Sequence, residues 1–426
     1  MHQGFRAFVL LLSMTCATLP AQQPQSRAEA IQEQRAATFR SPYKSDTDPV
    51  ERAIEWAYDT GTYDILRYGW HGFHPTTGGL INRSGAAFGL QYLRRDMGPL
   101  RATLRSSGRI SWRGYQLYDF EIGMPKLADD HAYADVYLRY RNYPGVNYYG
   151  PGPNSRKTGG TAYRLEDATF DFSMGVKPAR ILRMGIVGGY LRTNVGPDDD
   201  LRFVSTHLVY SPLVTPGIDR QSNFLRGGGL VQIDWRDNPA GPRRGGHYYS
   251  RFDYYHDPGH KFAGFRRVTA EVQQFVPFTN GKRVIAARAK SIMSFDNAGQ
   301  VVPFYLQPSL GGADDLRGFL PYRFYDKNSF VMNAEYRWEL MTTVEAALFA
   351  DAGKVYSRPG LLNFSRLEKS YGFGFRFRTP TGGIFMRTDL AFSREGVQVS
   401  IVFNDIFAAP QVRTGNEITP PPGRLP

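Results

Sequence analysis

One arginine and two carboxylates in the last third of the chain have the right side-chain types to form a buried ion-pair cluster. Arg317 lies in the segment Gly311–Phe319, and Glu335 and Asp351 follow in two later segments. An unpaired charge in a low-dielectric interior costs several kcal/mol, so a buried guanidinium needs acidic partners. The planar fork of Arg317 suits two carboxylates at once. The chemistry predicted is charge pairing that holds a loop; the alternative is a surface loop with one more exposed arginine.

The segments that carry the two acids have the pattern of β-strands. Residues 333–340, around Glu335, alternate polar and apolar side chains. From about residue 84 onward the same period of two recurs in about fifteen or sixteen segments separated by turn residues. Five segments follow Arg317, over residues 329–341, 343–353, 369–379, 383–394 and 396–407. The first strand is expected to contain Phe88, Leu90 and Tyr92.

Strand length separates a membrane barrel from a soluble β-sandwich, which shows the same alternation locally. Strands of about 10 residues suit a tilted transmembrane barrel, whereas soluble strands are usually about 5–6 residues long. Aromatic residues make up 14% of the 426 residues and Gly numbers 45, yet the mean hydropathy is −0.41. A membrane barrel explains both the high aromatic content and the low mean hydropathy, because alternate side chains face a polar lumen and aromatic girdles mark the interfaces. The sequence predicts an all-β, transmembrane antiparallel β-barrel of about 16 strands, preceded by a short helix.

The beginning of the chain is typical of an exported protein. Residues 1–21 combine Arg6, a short apolar run and the cleavage-like Leu19–Ala21, so we expect a signal peptide and a bacterial outer-membrane location. The single cysteine, Cys16, lies inside that signal, which predicts no disulfide and no cysteine metal site. The net charge of +13 rests mainly on arginine. Because export makes nucleic acid an improbable partner, these arginines are expected to offset lumenal carboxylates or to face anionic lipid headgroups.

Four regions follow from these patterns. Residues 1–21 are the expected signal peptide, and residues 22–64 a polar leader with a short helix that plugs the barrel or covers its rim. Residues 65–407 are the expected barrel, and residues 408–426 a disordered, Pro-rich periplasmic tail.

Two further motifs lie in the middle and at the end of the expected barrel. The first predicts a tight strand connection, because it contains a proline and paired glycines; its residues are Asp234, Arg236, Asp237, Pro242 and Gly245. The second is the last alternating segment, which contains Val399, Ile401 and Phe403 and ends at Phe407.

Together these segments resemble the BamA/TamA superfamily of outer-membrane barrels, the bacterial surface antigen family. Gly311–Phe319 is similar to the family's loop-six motif, which implies a lock made by Arg317, Gly318 and Phe319 with Glu335, Asp351 and Gly353. In that family loop six folds back into a barrel of sixteen strands, five of which follow the loop. The mid-barrel connection and the aromatic–glycine turn at residues 148–154 are similar to the family's turns, and residues 399–407 to its terminal signal strand.

The chain departs from the family's pattern at both ends. Nineteen residues (426 − 407) follow Phe407, which normally ends the chain. Between about Ala21 and Ser84 there is room for less than one POTRA domain, so the resemblance identifies a member without POTRA domains. It implies insertion or transfer of protein or lipid at the outer membrane. A passive anion-preferring pore and a membrane scaffold for a periplasmic partner are the alternatives.

Catalysis, cofactors and metal ions are not expected. His71 and His74 lie among aromatic residues and lack a paired metal-ligand spacing, and the chain has no Gly-x-Ser-x-Gly elbow. The three aspartates at 198–200 are expected to form a solvated acidic loop rather than a calcium site. The partners expected are outer-membrane lipids, together with unfolded barrel proteins or a periplasmic protein. The sequence does not specify an oligomeric state.

Overall fold

A computed structural model of the chain describes residues 71–407, except 82, 201, 260, 280, 380, 381 and 404. The expected signal peptide, leader, short helix and Pro-rich tail lie outside the described residues. Within them, sixteen strands form one antiparallel sheet in which each strand pairs with the strand before it in the sheet. The prediction of an all-β antiparallel barrel of about 16 strands is confirmed.

The strands have the following bounds: β1 Phe73–Gly78, β2 Ala87–Met97, β3 Ala102–Ser111, β4 Gln116–Leu127, β5 Ala132–Tyr148, β6 Thr161–Ala179, β7 Leu182–Pro197, β8 Phe224–Asp234, β9 Gly245–His256, β10 Gly264–Phe278, β11 Arg283–Asp296, β12 Ser309–Leu310, β13 Phe324–Tyr325, β14 Asn328–Met341, β15 Val344–Tyr356, β16 Glu368–Arg378, β17 Ile384–Ser393 and β18 Gly396–Val402. Strands β12 and β13 form a separate two-stranded sheet inside the β11–β14 connection, so β11 pairs with β14 in the barrel. One helical turn at Thr206–Val209 and three 3-10 turns, at Lys157–Gly159, Phe304–Leu306 and Pro359–Leu361, complete the described elements. None of these described helices has the length and hydropathy of a membrane span.

The distribution of side chains is inverted relative to a soluble protein. On β16, Tyr371, Phe373 and Phe375 are exposed on the outer face, while Ser370 and Arg376 point inward and are buried. Among the largest fully buried side chains are six arginines: Arg141, Arg317, Arg323, Arg337, Arg376 and Arg387. An apolar exterior around a charged interior is what a barrel in lipid requires. The side-chain distribution is therefore that of a membrane barrel.

The connections give the barrel a direction. One end has mostly short turns, at residues 98–101, 128–131, 180–181, 279–282, 342–343 and 379–383. The other end has the long connections 149–160, 198–223 and 297–327. Outer-membrane barrels have short periplasmic turns and long extracellular loops, which assigns the first end to the periplasm. The connection 235–244, between β8 and β9, is the long exception at the periplasmic end.

The five strands expected after Arg317 are all present, but both ends of the barrel differ from the prediction. Phe88, Leu90 and Tyr92 belong to β2, because the six-residue β1 precedes it. Strand β1 contains Pro75 and two threonines and shows no apolar alternation, so the pattern did not reveal it.

The last strand ends at Val402, and residues 405–407 leave the sheet. Continued alternation beyond Phe403 would place Asp405 on the outer, apolar face. An ionised carboxylate is costly there, which accounts for the turn inward.

The inverted distribution predicts where a charge is tolerated. Leu348, near the middle of β15, and Leu361, in an extracellular connection, are each 51% exposed. Leu348→Arg is expected to destabilise the barrel by about 2–4 kcal/mol, because it puts a cation among lipid chains. Leu361→Arg, the matched control, is expected to have little effect. Urea unfolding in vesicles measures both, and equal losses would contradict a membrane-facing Leu348.

Candidate functional site

The β11–β14 connection, residues 297–327, is called loop six below and returns into the lumen. Its stem is the antiparallel pair β12 and β13, and its tip is held by a hydrogen bond of 3.1 Å from Gly312 N to Phe319 O. Gly311 and Gly312 have φ of 118° and 97°, values that favour glycine, so the chain can reverse there. Arg317 lies on this tip and its side chain has no solvent exposure.

Arg317 contacts both carboxylates proposed as its partners. Its Nε and Nη2 donate to the two oxygens of Asp351 at 3.0 and 2.6 Å, and its backbone N donates to Asp351 Oδ2 at 3.1 Å. Its Nη1 donates to Glu335 Oε1. The guanidinium carbon lies 3.5 Å from the ring centroid of Phe349, a cation–π contact.

Electrostatics keep this guanidinium charged. Burial alone would lower the pKa of Arg317, but the charges of Asp351 and Glu335 outweigh burial and raise the pKa above its ordinary value. A buried cation with two ionised partners satisfies the condition for a stable buried ion pair.

The cluster extends beyond the three residues identified from sequence. Glu335 also accepts from Arg376 at 2.6 Å and from Arg337 at 2.7 Å. Arg376 donates to Asp389 at 2.6 Å, and Arg387 donates to Asp389 at 2.8 Å.

Arg387 also connects the cluster to loop six, because its Nη2 donates to Asp314 Oδ1 at 2.7 Å. Inward-facing polar positions on β14 to β17 supply these groups, but the sequence shows many such positions and does not reveal which of them meet.

The other proposed lock residues are placed by packing. A Cβ on Gly318 would lie 2.7 Å from Ser370 Cβ, so only glycine fits, and Ser393 Oγ donates to Gly318 O at 2.6 Å. Gly353 leaves room for Leu310, which a Cβ there would approach to 3.1 Å. Phe319 is buried in an apolar cluster and stacks edge-on against Phe324 at 5.2 Å.

The mid-barrel motif forms a structured ten-residue connection, 235–244, rather than the tight turn expected. Arg236 pairs with Asp234 at 2.6 Å, and the Asp237 carboxylate accepts from the backbone N of Arg243 at 3.0 Å. Gly245 has φ of 98°, and a Cβ there would collide with the backbone of residue 235. Pro242 is buried.

The connection is long because it reaches across the barrel end. Ile384 N donates to Ala240 O at 2.9 Å, and Arg378 Nη2 donates to Gly241 O at 2.7 Å.

The proposed terminal residues divide between two environments. Val399, Ile401 and Phe403 are exposed on the outer face, at 73%, 64% and 56%. Phe407 is fully buried and its carbonyl lies 3.5 Å from Arg236 Nη1, the mid-barrel arginine. Since Arg337 also binds Asp405, at 2.9 Å, all three motifs meet at the periplasmic end of the lumen.

The aromatic–glycine turn at residues 148–154 lies against the other end of loop six. Gly152 N donates to Tyr325 O at 2.6 Å, and Tyr325 Oη donates to Asn147 O at 3.1 Å. Among residues 71–407 as described, no group of three or more His, Cys, Asp or Glu side chains is arranged to hold a metal ion.

Comparisons with known proteins agree with this fold. A family model described as the Omp85 superfamily domain matches residues 106–404. The fold is similar to BamA from Haemophilus ducreyi lacking POTRA domains 1–3, with a TM-score of 0.55 and 14% identity over 81% of this chain and 76% of that chain. It is also similar to CdiB from Escherichia coli, with a TM-score of 0.51 and 14% identity over 78% of this chain and 62% of that chain. At these identities the two structures bear on the fold alone. No curated protein matches the chain.

The ion-pair cluster predicts a large effect of removing Arg317. Arg317→Ala leaves Asp351 and Glu335 with one cation fewer in a buried site, and we expect a loss of about 3–5 kcal/mol. Arg317→Lys should recover only part of it, because an ammonium cannot make the forked contact with Asp351. The measurement is the temperature at which the folded band disappears on unboiled gels.

The exposed Arg180, in the β6–β7 turn, supplies the control. Arg180→Ala should match the unmodified protein. An Arg317→Ala barrel as heat-stable as Arg180→Ala would contradict a structural role for the cluster.

Proposed function

The chain belongs to the Omp85 superfamily, and we propose that it inserts or transfers protein or lipid at the outer membrane, with loop six held in the lumen by Arg317. The proposal includes export through residues 1–21, a barrel over residues 65–407 and a periplasmic tail from residue 408. Its partners would be outer-membrane lipids, with unfolded barrel proteins or a periplasmic protein as further candidates. The role is non-enzymatic.

The observation that carries the proposal is an occupied lumen. Loop six lies inside the barrel, and its aromatic residues Phe304 and Tyr325 pack against Tyr148 and Tyr163 towards the extracellular end. At the periplasmic end, the connection 235–244 reaches over to β17. This arrangement favours a barrel that handles its substrate at the strands of the wall over one that conducts ions through the lumen.

The first and last strands of the sheet are its shortest strands. Strand β1 has 6 residues and β18 has 7, whereas the other strands of the sheet have 10 to 19. Short strands can form few ladder hydrogen bonds, and the edges of a sheet are templates for pairing with another chain. The junction of the first and last strands is where we propose that a substrate strand or a lipid engages the barrel.

A passive anion-preferring pore is the second candidate, and one observation favours it. Buried arginines on the barrel wall have donor atoms without a hydrogen-bond partner among the described residues, including Arg226 Nε and Nη1 and Arg251 Nη1. Cationic donors of this kind are the groups that an anion inside the lumen would bind. The scaffold alternative depends on residues 22–60, and their deletion would remove a co-purifying partner.

Reconstitution of the mature chain in liposomes tests insertion and conduction on one preparation. We expect an unfolded reporter barrel to fold faster than in empty liposomes, with small and unsteady single-channel currents. Acceleration should fall in Arg317→Ala and persist in Arg180→Ala. Circular dichroism of each variant in the vesicles ensures that only folded barrels are compared.

The opposite outcome is equally specific. Large, stable conductance steps without any acceleration would replace the proposed function with the pore. The absence of both effects would also overturn insertion by this chain alone.

A further inference from the structure

The chain turns into the lumen after β18, and residues Asp405–Phe407, called the lumenal segment below, are buried there. Asp405 is 5% exposed, Ile406 4% and Phe407 0%. The turn is fixed locally by a hydrogen bond of 3.3 Å from Phe407 N to Asp405 Oδ1. Three residues that could have continued an exposed strand are instead enclosed by side chains of distant strands.

Three arginines from separate elements hold the segment by its polar groups. Arg337 Nη2 donates to Asp405 Oδ1 at 2.9 Å. Arg288 Nη1 lies 3.4 Å from Ile406 O. Arg236 Nη1 lies 3.5 Å from Phe407 O. One side-chain carboxylate and two backbone carbonyls of the segment therefore have cationic partners.

An apolar pocket receives the aromatic ring. Phe407 packs with Phe275, Val284 and Ala286, and its ring lies edge-on to Phe275 at a centroid distance of 5.5 Å. The Arg337 guanidinium carbon lies 4.9 Å from the Phe407 ring centroid, so one arginine contacts both the acid and the aromatic residue. The pocket thus binds two side chains, those of Asp405 and Phe407, which are two positions apart.

Two of these arginines also have contacts to loop six or to its carboxylate partner. Arg337 Nε donates to Glu335 at 2.7 Å, and Glu335 is a partner of Arg317. Arg288 Nη1 donates to Asp314 O, on the tip of loop six, at 2.9 Å. Arg288 therefore contacts both loop six and the lumenal segment, whereas Arg337 contacts the lumenal segment and Glu335, the carboxylate that binds Arg317 of loop six.

We infer that the periplasmic end of the lumen is a peptide-binding site for a segment with an acidic residue followed two positions later by an aromatic one. The lumenal segment of this chain occupies it. Occupancy ties the end of β18 to loop six, and release of the segment loosens the tip of the loop. This inference does not depend on the proposed function, since the site would exist in an insertase or in a pore.

Binding in trans tests the site. The full chain is compared with a variant that has a stop codon in place of Asp405, and the probe is a fluorescein-labelled peptide with the sequence of residues 403–409. We expect saturable binding to the truncated barrel and at least about tenfold weaker binding to the full chain, whose own segment competes. Peptides carrying D405N or F407A should bind the truncated barrel at least about tenfold more weakly.

Two results would overturn the site. One is equal binding of the peptide to both proteins. The other is indifference to the acid and the aromatic residue, which would indicate non-specific adsorption.

A double-mutant cycle in the full chain covers the case in which the truncated barrel does not fold. Asp405→Asn and Arg337→Gln should each lower the urea midpoint, and the double variant should lose less than the sum of the two. Asp405→Asn with Arg378→Gln, a buried arginine at the same end of the lumen, should be additive. Additivity in both pairs would sink the contact between Asp405 and Arg337.

Hydrogen exchange tests the coupling to loop six separately. In Asp405→Asn, the amides of Gly311–Phe319 should exchange faster than in the unmodified chain, because Arg337 loses its carboxylate partner and the segment whose Ile406 carbonyl contacts Arg288 is held less firmly. Unchanged exchange there would contradict the coupling.

Discussion

The arrangement of this barrel depends on the buried carboxylate of Glu335. Three arginines converge on it, Arg317 from loop six, Arg337 from the same strand and Arg376 from β16. A lone carboxylate in this position would be strongly disfavoured, and so would any one of the three cations. Because Asp351, Asp389 and Asp405 take up the remaining positive charge, the loop, the wall and the end of the chain share one set of ion pairs.

The membrane explains why so much charge lies inside. With lipid against the outer face, the lumen is where polar side chains belong, and arginine can bind several acceptors in fixed directions. Gly318 and Gly353 complete the arrangement by removing side chains where loop six meets the wall. Shape and charge therefore select the same position of the loop.

Period-two alternation predicts about fifteen or sixteen strands and locates the last five, and the motif around Arg317 indicates Glu335 and Asp351 as its partners. Three features escaped it. Strand β1 is too short and too polar to show a period. The arginines around Glu335 occupy ordinary inward positions that look alike in sequence. The partners of the lumenal segment lie 68 to 171 residues from it, and only the folded chain brings them together.

The connection 235–244 also has a mechanical consequence. It runs from the β8–β9 side to β17, with β10, β11, β14, β15 and β16 lying between them in the sheet. Because the connection joins two distant parts of the barrel end, the strands between its two attachment points resist being pushed apart or together. The same group of strands also carries the ion pairs of loop six, which stiffen it further. Elastic deformation of the barrel is thereby directed into the remaining strands, which include β18 and β1, the shortest strands of the sheet.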